Sequence, residues 1–430
     1  MMLNSMELPF KTRFKSPTQA RRALPFRPLP ASGMAKIFQS ILNQPAQNPE
    51  RLLYIHIPFC SKTCSFCIYN RYANLPEHII TSYVETIINQ IRSAAKTPWV
   101  QSAPFKAVYF GGGTPTAIPS KDLVRIVDSI NQYIPLANGC EITVESTISN
   151  ISSSLVKSLA EAGVNRISLG VQTFDNTIRE SLGRESNSET IATKIRTISQ
   201  GGISNICIDL IYGLPNQTIE SWTADLEMVQ QLPITGCSVY PLVSKPNGQG
   251  TSTEIDIDLE YKLFAAAHTT LNSINGWQQL TPVQYGHSTN GKAIYVSGHG
   301  QNADMLALGA GAGGRINTHT YFTNPNVEEF LGCKANFAQT PKIMMSIDKE
   351  FLNLSKVFTL SEGLRLSKQN YQKLKGVFGS DFDYLKEQGL IFEINESLQL
   401  SPTGCFWAAN ISDVFAQRIG KVLQGDTANH

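Results

Sequence analysis

The 430-residue sequence lacks the features that mark several classes of protein. It contains no long uninterrupted apolar run of the kind that spans a membrane, and its opening residues, MMLNSMELPFKTRFKSP, lack the apolar core of a secretory signal. The net charge is only +2, so the composition provides no general attraction to nucleic acid or to an anionic membrane. We therefore expect a cytoplasmic globular protein without a nucleic-acid or membrane partner, and a monomer as the default state.

The sequence also lacks the cysteine pattern of a disulfide-rich domain and the glycine motif of a dinucleotide-binding domain. Five of the eight cysteines are scattered, unlike the dense pairs of a disulfide-rich secreted domain. No G-x-G-x-x-G lies between a strand and a helix with an acidic residue at the expected distance beyond it, and the Gly-rich run LGAGAGG at 308–314 does not meet that context. An internal dinucleotide-binding domain is therefore not indicated.

From residue 52 onward, short β-rich apolar runs alternate with segments of helical spacing, such as the apolar set Leu123, Ile126, Val127 and Ile130. Strands that alternate with helices pair in parallel through right-handed crossovers. Six such units favour an α/β fold with an incomplete (β/α)6 barrel, whose functional residues lie at the C-terminal strand ends. The six runs are 52–57, 106–110, 141–145, 166–170, 205–211 and 237–242.

The segments on either side of the barrel differ in composition. Residues 1–50 form a basic N-terminal extension, which we interpret as an irregular segment over the fold, with a basic lid for an anionic substrate as the alternative. Residues 51–340 are assigned to the barrel and its C-terminal elaboration, which includes a helix near 259–275. Residues 341–430 are assigned to a small helical, winged-helix-like cap, which we expect to be structural because no basic recognition helix is evident.

The other three cysteines lie in the stretch YIHIPFCSKTCSFCIYNRY at 54–72. Cys60, Cys64 and Cys67 have C-x3-C-x2-C spacing on the loop that follows the first strand. Three thiolates on one loop can bind three irons of a cubane cluster and leave the fourth iron open. Structural zinc normally needs a fourth ligand, and His56 precedes the loop within the strand, where packing is its expected role. The motif predicts a 4Fe-4S cluster whose open iron can chelate S-adenosylmethionine (SAM).

Several motifs together resemble the radical SAM superfamily and its coproporphyrinogen-dehydrogenase-like branch. They are YIHIPFC at 54–60, FGGGTP at 110–115, TVES at 143–146, GVNRISLGVQTF at 163–174, LGR at 182–184 and IDLIYGLPNQT at 208–218. The resemblance runs from about residue 52 to residue 366. It implies that Cys60, Cys64 and Cys67 are the cluster ligands, and that an electron from the cluster cleaves SAM to methionine and a 5′-deoxyadenosyl radical.

The same resemblance implies nine further cofactor-binding residues: Tyr54, Phe66, Gly112, Gly113, Thr114, Glu145, Gln172, Arg184 and Asp209. Glycines at the end of the second strand let the backbone approach a ligand closely, although a tight turn would also need them. A carboxylate such as Glu145 can accept hydrogen bonds from a ribose or an ammonium group. Without the family, the polar members would equally fit rim salt bridges. In this branch some of these residues contact a second SAM, so two SAM molecules are expected.

Three kinds of protein in this branch fit the sequence. Coproporphyrinogen III dehydrogenases match it in length, but their motif usually has a further cysteine where this chain has Tyr69. Haem chaperones usually start close to the cysteine motif, and their Gly-rich run typically includes a histidine where this chain has Gly313. Anaerobic haem-degrading methyltransferases of the HutW/ChuW type, the anaerobilin synthases, share the aromatic and polar CSFCIYN segment and a basic leader like RRALPFRPLP. The overall layout resembles this third kind most.

That resemblance implies haem as the substrate. The deoxyadenosyl radical would take hydrogen from the methyl group of the second SAM, the resulting carbon radical would add to a meso carbon, and the macrocycle would open and release iron. A flavodoxin-like protein and a reduced nicotinamide both remain candidates for the electron donor. Candidate propionate partners are Arg21, Arg22, Arg27 and Arg315, and candidate axial ligands are His287, His299 and His319, with a solvated or structural role as the alternative for each.

Overall fold

Six parallel strands form the centre of the computed structural model, which describes residues 8–69, 71–243, 256–288, 291, 293–300, 303–332 and 337–425, without the side chains of residues 17, 18, 299 and 300. The strands lie side by side in chain order, as expected of successive right-handed β/α units. They are β1 (Arg51–Ile57), β2 (Phe105–Gly112), β3 (Leu136–Thr147), β4 (Arg166–Gln172), β5 (Asn205–Tyr212) and β6 (Gly236–Pro241). All six predicted strands are confirmed.

Helices connect these strands and cover the outer face of the sheet. They are α1 (Glu77–Ala95), α2 (Ser120–Tyr133), α3 (Ser153–Glu161), α4 (Asn176–Ser181), α5 (Ser188–Gln200) and α6 (Ile219–Gln230), and α7 (Ile257–Ser273) follows β6. The apolar set that predicted α2 is buried. Side chains that accept backbone N–H groups begin several of these helices: Ser152 caps α3, and Thr218 forms a capping box with Ser221 at α6.

The sheet continues beyond both edges of the six-strand unit. The antiparallel hairpin of β7 (Trp277–Thr281) and β8 (Gln284–His287) pairs with β6, and β9 (Asp304–Leu308) pairs in parallel with β1. Antiparallel strands β10 (Gly313–Ile316), β11 (His319–Thr323) and β12 (Pro341–Ser346) follow, and Arg27–Pro28 pairs with β12. Within the described residues β1 and β6 are not hydrogen-bonded neighbours, so the barrel stays open.

A short helix, α8 (Ile294–Gly300), lies at the N-terminal end of the barrel, where its Tyr295 stacks on Tyr109 of β2. The carboxylate of Glu141 accepts hydrogen bonds from the backbone N–H groups of Ile294 (3.0 Å) and Tyr295 (3.1 Å), a favourable place for a negative charge. Nearby, a guanidinium nitrogen of Arg166 donates to the carbonyl of Gly291 at 2.9 Å. Helix α8 therefore lies at the opposite end of the barrel from the cysteine loop, which follows the C-terminal end of β1.

The N-terminal segment is more ordered than its composition predicts. Helix Met34–Leu42 buries Met34, Phe38 and Leu42, so the interpretation as an irregular segment is wrong for these residues, because their apolar side chains repeat with helical spacing. Arg13, nearer the start, contacts Glu260 at 3.0 Å and donates to the hydroxyl of Tyr212 at 2.9 Å. The extension therefore directs part of its positive charge inward.

The C-terminal module combines helices with a small antiparallel sheet, in agreement with the winged-helix-like expectation. Its strands are Arg365–Leu366, Ile391–Ile394 and Ser397–Leu400, and its helices are Phe351–Leu354, Phe358–Gly363, Lys368–Glu387, Pro402–Phe406 and Ala408–Leu423. Since β12 belongs to the main sheet, we propose that the cap begins after it, a few residues later than residue 341. No helix in the described ranges is both long and apolar enough to cross a membrane.

Candidate functional site

Side chains from alternate positions of the parallel strands meet inside the barrel. The register places Tyr54 beside Tyr109, and Glu145 beside Ser168. In the same way Gly170 lies beside Asp209 on β5. Because the strands are parallel, these residues form layers that approach the C-terminal rim together. The predicted site residues on different strands are thus brought to one end of the barrel.

The cysteine loop begins where β1 ends and is held by a second short pairing. Phe59–Cys60 pairs in parallel with Tyr72–Ala73, which closes the loop into a compact turn. The thiols of Cys60, Cys64 and Cys67 are free and half-buried. Burial raises the pKa of the Cys60 thiol, and the nearby thiols of Cys67 and Cys64 raise it further. The three sulfur atoms therefore lie close enough to interact.

Three half-buried thiols on one loop match the ligand type of an iron–sulfur cluster. In the part of the chain that the structure describes, no group of three or more His, Cys, Asp or Glu side chains is placed to hold one metal ion. A cubane has a separate iron for each thiolate, so its ligands need not converge on one point. The other described cysteines, Cys140, Cys207, Cys237 and Cys405, are buried in the core, and Cys333 lies outside the described residues. The three-cysteine loop fits the predicted cluster.

The glycine run Gly111–Gly113, at the end of β2, packs directly against the cysteine loop. The N–H of Gly113 donates to the carbonyl of Ile57 at 2.8 Å, and that of Thr114 donates to the carbonyl of Phe59 at 2.7 Å. Gly112 has a φ of +112°, and a Cβ there would come within 2.5 Å of the His56 ring. Only glycine fits this position, because both the backbone conformation and the space exclude a side chain. Thr114 Oγ1 also lies 3.6 Å from Cys60 Sγ.

His56 packs inside the strand, as the sequence predicts. Burial lowers the pKa of His56 to about 4, so the ring is neutral near pH 7. Its Nδ1 lies 2.9 Å from the hydroxyl of Tyr54. Tyr54 in turn stacks on Tyr109 and on Tyr295 from α8, with the last two ring centroids 4.3 Å apart. These contacts give Tyr54 a packing role on the inner wall, immediately below the glycine run.

Glu145 and Asp209 place two carboxyl groups inside the barrel. The pKa of Glu145 is raised to about 7: burial is the largest cause, the hydrogen bond from Tyr109 opposes it, and the nearby Asp209 adds to it. Burial also raises the pKa of Asp209 to about 6 against hydrogen bonds from Ser168 and Ser238. The Ser168 hydroxyl donates to Asp209 Oδ2 at 3.0 Å. Such groups can accept hydrogen bonds from a cationic or hydroxyl-bearing ligand.

Gln172, Arg184 and Phe66 form a chain that links β4 to the cysteine loop. Gln172 has a φ of +74°. Its side-chain amide nitrogen donates to the backbone carbonyl of Asp209 at 3.2 Å, and its side-chain oxygen accepts from Arg184 Nη2 at 3.1 Å. The Arg184 guanidinium carbon lies 5.5 Å from the centroid of the Phe66 ring, a cation–π distance. Phe66 also packs on the buried side chains of Ile178 and Leu182. Three residues predicted from separate motifs are thus connected.

Apolar side chains are exposed at the mouth of the barrel. Tyr69 is 65% exposed, and Ile68 and Tyr240 are also exposed. Tyr69 nevertheless lies close enough to Glu145, Cys67 and Asp209 to interact with their charges, and Tyr240 interacts with Asp209 and Tyr69. Tyr69 and Tyr240 therefore lie near the carboxyl groups, and together with the exposed neighbour Ile68 we call them the mouth residues.

Sequence reasoning missed several contributors to the site. The alternation that points Tyr54 inward would also have indicated Tyr109 and Tyr240, because each lies on a strand at an inward position. Tyr295 of α8 stacks on Tyr54 and Tyr109, and no local sequence pattern predicts this contact. Arg71 was missed as well: it lies four residues after Cys67, and its guanidinium donates to the carbonyl of Tyr69 at 2.9 Å.

The structure narrows the candidates for haem contacts. Arg21 forms an ion pair with Glu362, and Arg315 is surrounded by protein and donates to the carbonyl of Ala303 at 3.1 Å. Both are structural, because their charged groups are directed to partners inside the fold. Arg22 and Arg27 are exposed.

The two described candidate histidines lie far from the cysteine loop along the sheet. His287 follows Gly286, which pairs with the first residue of β6, and His319 lies at the turn between β10 and β11, opposite Ile316. Both positions are at the N-terminal end of the barrel, away from the cysteine rim, so neither suits an axial ligand beside the mouth residues. The His299 side chain is outside the described set.

Fold and site together define a partial β/α barrel with a three-thiol cofactor loop at its open rim. Residues 54–229 match the Radical SAM superfamily. The chain is 30% identical over 416 residues to the anaerobilin synthase of Escherichia coli O157:H7, covering 94% of this chain and 91% of that protein. It is 28% identical over 370 residues to the haem chaperone HemW of Bacillus subtilis strain 168, covering 82% of this chain and 95% of the relative.

A solved structure shares the whole fold. The coproporphyrinogen III oxidase HemN from Escherichia coli superposes with a TM-score of 0.75 at 20% identity, covering 94% of this chain and 99% of that one. The chain therefore belongs to the radical SAM superfamily, in its HemN-like branch. Membership implies a 4Fe-4S cluster and SAM as cofactors.

Proposed function

We propose that this protein is a radical SAM methyltransferase of the anaerobilin synthase type. It would open the porphyrin ring of haem without oxygen, giving a methylated linear tetrapyrrole and free iron, with two SAM molecules consumed. The observation that carries the proposal is the similarity to an anaerobilin synthase over 94% of this chain. That match spans most of both proteins, so it includes regions outside the cofactor-binding barrel.

The residues at the rim divide into a cluster loop and a SAM cradle. Cys60, Cys64 and Cys67 would hold the cluster, and the glycine run with Thr114 would hold the first SAM next to it. When bound, the cluster and SAM supply the electron, the radical and the carbon for the reaction. The protein's own part is to position these reactants, which in a well-oriented site can provide a large share of the rate enhancement.

The polar layer inside the barrel supports the placement of a second ligand. Glu145 and Asp209 are buried carboxyl groups with raised pKa values, and they accept hydrogen bonds from Tyr109 and Ser168. The Gln172–Arg184–Phe66 chain joins this layer to the cysteine loop. We assign Glu145, Gln172, Arg184 and Asp209 to SAM binding because Gln172 contacts both Asp209 and Arg184, and Glu145 interacts with Asp209 and with the backbone of Gly112 in the glycine run.

The mouth residues support a flat, largely apolar substrate. A porphyrin presents two extended aromatic faces, which stack on tyrosine rings and aliphatic side chains. Tyr69 and Tyr240 lie above the carboxyl layer, where a macrocycle would face the cofactors. Tyr69 also stands where coproporphyrinogen dehydrogenases usually carry a cysteine, which favours a different reaction on a related tetrapyrrole.

One alternative has a specific observation in its favour. The similarity to HemW covers 82% of this chain and 95% of that protein, so a haem chaperone that binds haem without converting it is the second candidate. For the electron donor, a flavodoxin-like protein or a reduced nicotinamide remains our proposal. A monomer in the cytoplasm is likewise proposed.

Anaerobic incubation of the reconstituted protein with SAM, a reductant and haem separates these functions. Ring opening predicts loss of the Soret band together with formation of 5′-deoxyadenosine and S-adenosylhomocysteine. Stable haem binding without either product would favour the chaperone. A parallel incubation with coproporphyrinogen III tests the dehydrogenase, for which release of carbon dioxide is the diagnostic product.

A further inference from the structure

Arg71 joins the backbone of the cysteine loop to a fixed strand. Its guanidinium donates to three carbonyl oxygens: those of Cys64 (3.2 Å), Cys67 (3.3 Å) and Tyr69 (2.9 Å). Two of these carbonyls belong to residues whose thiols we assign to the cluster. The Arg71 side chain thus contacts the backbone of the loop from Cys64 to Tyr69.

The backbone that carries Arg71 is itself anchored. The next residue, Tyr72, donates its N–H to the carbonyl of Pro58 at 2.8 Å and its hydroxyl to the carbonyl of Pro325 at 3.0 Å. Tyr72–Ala73 also pairs with Phe59–Cys60. Residue 71 directly precedes this pairing, so its backbone is fixed to the Phe59–Cys60 segment. Its guanidinium therefore ties the later part of the loop to that segment.

The chemistry of arginine suits this role. Its planar guanidinium presents several donors in a rigid fork and stays charged, whereas lysine is a point charge on a flexible stem. Carbonyls held by one fork fix the direction of the neighbouring Cα–Cβ bonds, and therefore where the Cys64 and Cys67 sulfur atoms point. A fixed positive charge beside an iron–sulfur cluster also favours its reduced state, because reduction adds negative charge.

We propose that Arg71 is a positioning residue for the cluster: it holds Cys64 and Cys67 in ligand geometry and raises the reduction potential of the cluster. The inference rests on the cluster assignment within the proposed function, and it is independent of haem as substrate. Groups outside the first ligand shell commonly change metal affinity by 10- to 100-fold when they are removed. Arg71 would act in this way on the loop carbonyls.

The test compares R71M, R71K and a control, K62M, in the reconstituted full-length protein without haem. Lys62 lies on the same loop, but its side chain is 64% exposed and pairs with Glu185. K62M therefore removes one positive charge from the loop without removing the hydrogen bonds to its carbonyls. The measurements are iron per chain, the rate at which a chelator bleaches the visible absorbance, and the midpoint potential from a redox titration.

We expect R71M to lose its cluster about tenfold faster than K62M and to have a more negative midpoint potential. R71K should lose its cluster nearly as fast as R71M, because lysine cannot bridge the three carbonyls. Its midpoint potential should lie closer to that of the parent protein than the potential of R71M does, because lysine keeps the positive charge. Equal bleaching rates and potentials in R71M and K62M would overturn the proposal. Thermal unfolding of the cluster-free variants is the check on folding: if both R71M and R71K fail to fold, Arg71 serves the fold itself, and the proposal is also wrong.

Discussion

The hydroxyl of Tyr109 donates a 2.6 Å hydrogen bond to Oε1 of Glu145, inside the barrel and one strand apart. A hydrogen bond to a carboxylate normally favours its charged form. Here burial outweighs that effect and raises the pKa of Glu145 to about 7. The carboxyl group of Glu145 is therefore partly protonated near neutral pH, which gives the cofactor-free protein a measurable signature.

The first prediction concerns the stability of the cluster-free protein as pH changes. Between the ordinary value of 4.5 and about 7 the folded state binds more protons at Glu145 than the unfolded state does. This contribution to stability is complete below 4.5 and is lost as pH rises through about 7. E145Q should remove the part of the pH-dependent loss in unfolding free energy that comes from Glu145, on the order of 1–3 kcal/mol. Urea unfolding at several pH values measures this loss.

Glu161 provides the matched control, since its side chain is 67% exposed. E161Q should leave the pH profile unchanged. The account of Glu145 would be wrong if E145Q and the parent protein lost stability equally across the same range. Asp209 titrates in the same direction, so some decline should remain in E145Q.

A second prediction tests the glycine cradle. G112A introduces a Cβ that would lie 2.5 Å from the His56 ring at a φ of +112°, whereas at Gly163, with a φ of +98°, the nearest atom would be 3.9 Å away. G163A should cost about 1 kcal/mol in backbone strain alone. G112A should cost about 1–3 kcal/mol more because it adds overpacking, and it should weaken SAM binding as measured by calorimetry. Equal costs for the two variants would show that the contact with His56 is not restrictive.

A third prediction concerns the N-terminal segment. Arg13 and Lys15 both pair with Glu260, whose side chain is 3% exposed. R13M should lower the free energy of unfolding by about 2–4 kcal/mol, because it leaves a buried carboxylate with half of its partners. The double variant R13M/E260Q should recover part of this loss, since the second change removes the uncompensated charge. R22M, at an exposed position, should have no effect, and a loss in R22M as large as in R13M would contradict the buried-pair explanation.

A fourth prediction concerns the mouth residues. Y69A should weaken haem binding by about three- to tenfold through loss of aromatic stacking, while Y69F should retain most of the affinity. F392A removes another exposed aromatic side chain, from the C-terminal module, so it should not alter binding. Fluorescence quenching by haem measures all three. Unchanged affinity in Y69A would place the haem elsewhere.

The sequence predicted the features that depend on local pattern. The six parallel strands followed from short apolar runs between helices, and the strand position of His56 followed from its place before the loop. The features it could not predict depend on distant contacts. The strand β9, with sequence DMLAL, pairs with β1 about 250 residues earlier. Helix α8 is held by Glu141 of β3, whose carboxylate accepts hydrogen bonds from its first two backbone N–H groups.

In the candidate site, too, local motifs predicted some features and could not predict others. Motif spacing placed the cysteines and glycines on adjacent loops, and the structure joins those loops through Thr114 and Phe59. The role of Arg71 was hidden, because an arginine four residues after a cysteine has no characteristic pattern. Residue type alone also could not show that His287 and His319 lie at the N-terminal end of the barrel, or that Arg21 and Arg315 are directed to partners inside the fold.

Iron content after anaerobic reconstitution tests the central claim most directly. The parent protein should bind close to four irons per chain with the visible absorbance of a 4Fe-4S cluster. C64A should lose that absorbance, whereas C140A, at a buried cysteine outside the loop, should keep it. Full iron content in C64A, or zinc in place of iron in the parent protein, would contradict the account.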